Sequence, residues 1–137
     1  MPAAAGYSRA PLAKKLSLKD GMRVFFYEMP NSVLAEIDSY GLRLIKEALP
    51  EQGINAAHLF LTEKAALWNN LIGMRHTIDP AGQLWISWPK KASKVPTDIT
   101  EDTIRELALP MGWVDVKVCA VDAVWSGLKL VVRKELR

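Results

Sequence analysis

The chain reads as short apolar runs separated by turn signals, and one run organises the rest. Leu84, Trp85, Ile86, Ser87 and Trp88 are mostly apolar and aromatic, introduced by Pro80, Ala81 and Gly82 and stopped by Pro89. So short a run with no regular polar alternation predicts a strand covered on both faces, in the middle of a sheet. Pro89 has no N–H to give to a ladder, so regular pairing is expected to end at Trp88. Lys90, Lys91 and Lys94 then fall in a loop at the strand's carboxyl end, which is where open α/β sheets bind ligands.

The other elements follow from the same periodicities. A short helix is expected over 11–16, with proline in its first turn and Leu12 and Leu16 on one face. Asp20 and Gly21 mark a turn into a first strand over 22–28, ended by Pro30 and Asn31. Asn31 or Ser32 is expected to cap a short helix carrying Val33, Leu34 and Ile37, which Tyr40 and Gly41 stop. A strand over 42–46 comes next, then a buried one over 56–62. Thr62 is placed to cap a helix running to about residue 77, whose stripe is Leu67, Leu71, Met74 and Ile78. After the central strand, Asp98 or Thr100 can cap a helix that buries Ile104, Leu107, Ala108 and Met111, with Glu101 and Asp102 against its positive end. Alternation over 114–121 and a run over 128–133 make an antiparallel hairpin.

These elements define an α/β fold of three layers, with a mainly parallel sheet and a C-terminal antiparallel hairpin. In chain-order labels the expected strand order is 2-1-3-4-6-5. Its switch point lies between strands 1 and 3, placing Met29, Pro30, Asn31, Thr62 and Glu63 at the mouth of a crevice. At 137 residues, half of them apolar, one domain over 11–137 is expected behind a flexible arm at 1–10.

Charge and special residues narrow the chemistry. Eighteen cations against fifteen anions give +3 at pH 7, an even mixture rather than a nucleic-acid footprint. Cys119 is the single cysteine and the two histidines lie far apart, which removes an internal disulfide and a cysteine-cluster zinc site. The first residues lack the apolar core of a signal peptide, and no stretch approaches the about 20 apolar residues of a spanning helix. A cytoplasmic, membrane-free protein is expected.

The string Gly6-Tyr7-Ser8, Pro11 to Leu16, the run 84–93, Thr97 to Asp102 and the segment 114–130 with Trp125, Ser126 and Gly127 resemble a bacterial family known as domain of unknown function 3052. The resemblance covers nearly the whole chain and implies no activity or residue roles. The closing strand, helix and hairpin resemble the end of class I methyltransferase-like Rossmann folds, which implies architecture alone. Methyltransferases of that class carry a glycine-rich loop after the first strand, whereas residues 25–31 here contain no glycine. That departure argues against S-adenosylmethionine binding and leaves the cofactor unknown. Dinucleotide and P-loop fingerprints are absent.

Lys90, Lys91 and Lys94, with the Ser93 hydroxyl, Asn31, Ser126 and the faces of Trp88 or Trp125, compose a candidate site for an anionic small molecule. Lys14 and Lys15 would extend it. The bland alternative is a solvated basic loop. Glu28, Glu63 and Asp122 stand at strand ends as candidate acids or bases, with cap and turn roles as their alternatives. No serine has a neighbouring base in a recognisable motif, His58 reads as a core histidine, and Cys119 as a small sheet residue. The leading functional expectation is a non-catalytic Rossmann-like binding or regulatory domain. The alternatives are a homodimerising or protein-binding module and a divergent S-adenosylmethionine-dependent methyltransferase, with nucleic-acid binding ranked last.

Overall fold

The computed structural model describes residues 10–137; the arm expected over 1–10 lies, Ala10 apart, outside the described residues. In chain order the elements are α1 (Leu12–Lys15), β1 (Arg23–Tyr27), α2 (Asn31–Ser39), β2 (Ile45–Glu47), β3 (Ile54–Phe60), α3 (Lys64–Thr77), β4 (Ile78–Pro89), α4 (Glu101–Ala108), β5 (Trp113–Ala120) and β6 (Trp125–Val132). The strands form one sheet in the order β2-β1-β3-β4-β6-β5. Strands β2, β1, β3 and β4 pair in parallel, and β6 runs antiparallel to both β4 and β5. This is the order and polarity the sequence predicts.

Each face of the sheet carries its own core. Leu67, Leu71 and Met74 of α3 and Ile104 and Ala108 of α4 pack with Leu84, Ile86, Trp88, Leu128 and Leu130 on one side. Leu12, Ala13 and Leu16 of the α1 segment and Val33 and Ile37 of α2 pack with Phe60, Trp85 and Cys119 on the other. Burying apolar area on both faces is the main force that closes the three layers. The central strand is therefore not uniform: Leu84, Ile86 and Trp88 serve the first core, while Gln83, Trp85 and Ser87 alternate toward α1.

That second set is polar and fully bonded. Leu16 O accepts from both Gln83 Nε2 (2.9 Å) and Trp85 Nε1 (3.0 Å), and Ser87 Oγ lies 2.7 Å from His58 Nε2. His58 also stacks on Phe60, with ring centroids 4.5 Å apart. Gly82 lets β4 approach β3 here, since a Cβ would stand 2.7 Å from Asn55 O.

Several boundaries differ from the sequence expectation for physical reasons. Pro89 pairs with Trp125 instead of lying beyond the strand. Ser87 O accepts from Leu61 N and Lys90 N donates to Val124 O, so Pro89 turns its missing N–H toward β3, whose pairing has already ended at Phe60. β6 accordingly starts at Trp125, three residues earlier than expected, and β2 is reduced to three residues. Pro30, not Asn31 or Ser32, occupies the position before α2. Thr62 does not cap α3; Asp98 does so from across the molecule, its Oδ1 accepting from Lys64 N at 2.6 Å. Thr100 caps α4 as expected, in a reciprocal box with Thr103.

Two outcomes follow. Removing Asp98 leaves an orphan N–H at the start of α3, so Asp98→Ala should cost about 1 kcal/mol and lower the melting temperature by about 4 °C in calorimetry. Asp98→Asn, which keeps the acceptor, should melt close to wild type. Burial pushes the His58 pKa down from 6.5 to about 3. The unfolded chain therefore binds a proton that the folded one refuses: His58 adds no pH dependence above pH 6.5, and stability falls as pH drops from 6.5 toward 3, by at most about 1.4 kcal/mol per unit. The melting temperature of His58→Phe with Ser87→Ala should decline less steeply over that window; parallel curves would refute the assignment.

Candidate functional site

The carboxyl edge of the sheet holds a crevice at the exits of β1 and β3. Its volume is about 280 Å³ and its lining includes Tyr27, Glu28, Phe60, Thr62, Glu63 and Trp125. A crevice forms here because the chain leaves β1 toward α2 and leaves β3 toward α3, on opposite faces of the sheet, so nothing fills the gap between the two exits. Glu28 makes the first turn with φ +55°, in the left-handed region that favours glycine and that a side chain occupies only when its surroundings impose it.

The far wall is Trp125, and it is fixed by the hairpin. Asp122 Oδ1 accepts from both Val124 N and Trp125 N at 2.8 Å. Lys90 tightens the same turn, its backbone N–H donating to Val124 O and its Nζ to Asp122 O, both at 2.7 Å. The Trp125 ring then meets Phe60 edge to face, with centroids 5.1 Å apart. The result is an aromatic slot with two exposed carboxylates, Glu28 and Glu63, among its lining residues.

Of the residues proposed from the sequence, Glu28, Thr62, Glu63 and Trp125 line the crevice, and Met29, Pro30 and Asn31 do not. Trp88 stands in register with Ser126 and is 8% exposed, packed into the core on the α3 face. It therefore turns away from Trp125, which belongs to the α1 side. Ser93 is occupied within its own loop, its hydroxyl donating to Lys90 O at 2.6 Å and accepting from Val95 N at 3.3 Å. Lys91 and Lys94 are exposed on the 3-10 turn Lys91–Ser93 and just after it. Ser126 is half-buried within the ladder opposite Ala120 and Trp88. Tyr27 and Phe60 were not singled out from the sequence; the signal that finds them is their position as the last residues of strands 1 and 3.

Reactive groups elsewhere are closed off. His58 and Ser87 make a nucleophile-and-base pair in geometry only, since they are 2% and 0% exposed and the imidazole is held neutral by burial. Burial also pushes the Cys119 thiol up, outweighing the cations of Lys15, Lys117 and Lys90. Among the described residues no group of three or more histidine, cysteine or acidic side chains could hold a metal ion, and no helix is long and apolar enough to cross a membrane.

No family model and no curated protein matches the sequence. Solved structures do match the fold. A SAM-dependent methyltransferase from Aquifex aeolicus superposes with a TM-score of 0.62 at 17% identity, covering 88% of each chain. A TehB-like SAM-dependent methyltransferase from Corynebacterium glutamicum gives 0.52 at 9% identity over 94% of this chain and 91% of that one. Fibrillarin, the pre-rRNA processing protein of Methanococcus jannaschii, gives 0.55 at 9% identity over 93% and 71%. At these identities the likeness establishes the architecture: a six-stranded, methyltransferase-like Rossmann sheet.

Proposed function

We propose that the crevice between the exits of β1 and β3 binds S-adenosylmethionine and that the protein is a divergent methyltransferase. The observation that carries this reading is the crevice itself, at the fold's switch point and lined by aromatic rings and carboxylates. Such a lining suits a cation carrying a flat heterocycle and does not suit an anion. Glu28 and Glu63 would face the positive sulfonium, and Trp125 and Phe60 would supply the apolar wall. When bound, S-adenosylmethionine supplies an electrophilic methyl group. Glu28 keeps the left-handed turn that a glycine would otherwise provide, which answers part of the objection raised by the glycine-free loop. The resemblance to domain of unknown function 3052 is carried with this proposal.

A second reading is favoured by one feature. Glu28 puts a side chain at the turn where a glycine-rich backbone would cradle a ligand, and a site so altered is suited to binding without transfer. The two readings share the crevice and part at turnover.

Titration with S-adenosylmethionine or S-adenosylhomocysteine should raise the melting temperature. At a hundred times the dissociation constant the gain is about 2.7 kcal/mol, or about 10 °C for a chain of this size. Glu63→Gln and Trp125→Ala should each weaken binding about tenfold while folding normally. Absence of any shift at millimolar ligand would end the proposal. Binding without release of S-adenosylhomocysteine from cell extract freed of small molecules would select the second reading.

A further inference from the structure

The hairpin sets two lysines opposite one another on the α1 face of the sheet. From Trp113↔Val132 to Asp115↔Leu130 the β5–β6 register is regular, and continuing it would set Val116 opposite Lys129. A β-bulge inserts one extra residue there, and Lys117 stands opposite Lys129 instead. Bulges commonly re-aim a side chain, whereas like charges directly opposite each other destabilise a ladder. The displaced Val116 is 52% exposed, while the shift turns Cys119 and Val121 into the α1-side core and brings Lys117 onto the same face as Lys129.

The surroundings of the pair are cationic. Lys129 Nζ donates to Ser17 Oγ at 3.2 Å, and Lys117 Nζ stands 5.9 Å from the centroid of Trp85. Lys15 reaches across to Ala120 O at 3.1 Å. Among the described residues no carboxylate forms an ion pair with Lys15, Lys117 or Lys129. Burial, then the charges of Lys117 and Lys19, pull the Lys129 pKa down, and the backbone register sets Lys117 directly across from it. Ser17 itself sits at φ +59°, and its hydroxyl, accepting from Lys129, keeps its own hydrogen to donate.

We propose that Lys117, Lys129 and the Ser17 hydroxyl form a binding site for a phosphate group on the α1 face of the hairpin. A dianion between the two ammonium groups turns their repulsion into two charge-assisted hydrogen bonds. The site is separate from the crevice and does not depend on what the crevice binds.

The test is thermal unfolding at low ionic strength with inorganic pyrophosphate, against sodium chloride of equal ionic strength. Wild type should gain several degrees with pyrophosphate and little with chloride. Lys117→Gln should melt about 2 °C higher than wild type without anion, because repulsion is relieved, and should lose the pyrophosphate gain. Lys129→Gln should behave alike, and Lys46→Gln, whose lysine is paired with Asp38, should keep the gain. A short oligothymidylate supplies the second arm. If it stabilises and pyrophosphate competes with it, the phosphate is that of a nucleic-acid chain; if pyrophosphate alone stabilises, it is that of a small molecule. No gain beyond chloride in wild type, or a full gain in both lysine variants, would overturn the site, and neither result bears on S-adenosylmethionine binding.

Discussion

The structure depends on satisfying the polar side of β4. A strand buried on both faces leaves no water for its polar groups, and an unmet one costs about 1–3 kcal/mol. Gln83, Trp85 and Ser87 all face the α1 side, and the segment ending α1 answers two of them with a single carbonyl, Leu16 O. His58 answers the third. Among the described residues no buried side-chain nitrogen or oxygen lacks a partner. The placement of α1 is thus set by hydrogen bonding from the sheet as much as by Leu12 and Leu16, which matters for a helix of four residues that could not persist alone.

The same strand is where the sheet changes polarity, parallel to β3 on one side and antiparallel to β6 on the other. Because β6 must run back along β4, its first residue meets the last of β4, and Trp125 is delivered to the carboxyl edge beside the exit of β3. Lys90 follows directly and locks the turn through the carbonyls of Asp122 and Val124. The aromatic wall of the crevice is therefore a by-product of strand polarity, and its rigidity comes from a lysine that sequence reasoning assigned to a ligand.

Much of this was legible. Apolar runs closed by Pro, Gly and Asn located the strands, and the tight final hairpin fixed the antiparallel end of the sheet. The stripe Leu67, Leu71, Met74 identified α3. Less legible was anything decided by long-range partners. Asp98 caps a helix that begins 34 residues earlier, and Lys90 is consumed by a turn 32 residues later. Local propensity contains neither. The regular alternation over 114–121 also conceals the bulge, because Val116 and Val118 match a buried pattern and yet are 52% and 47% exposed. An edge strand tolerates that exposure, since its outer side has no neighbour to enforce the register.

The near-balanced composition hides a segregation of charge that a total of +3 cannot express. Glu28 and Glu63 gather at the crevice, while Lys117 and Lys129 gather on the hairpin. Trp125, Gly127 and Lys129 alternate along β6, so crevice wall and lysine pair share one face at a separation of about 14 Å, four residues at about 3.4 Å each. The screening length at physiological ionic strength is about 8 Å. Across solvent the field of Lys129 therefore reaches the Trp125 wall much reduced. The two proposed sites would thus read opposite charge at the two ends of one hairpin, with Lys15 and Lys90 engaged by the carbonyls of Ala120 and Asp122 near the first.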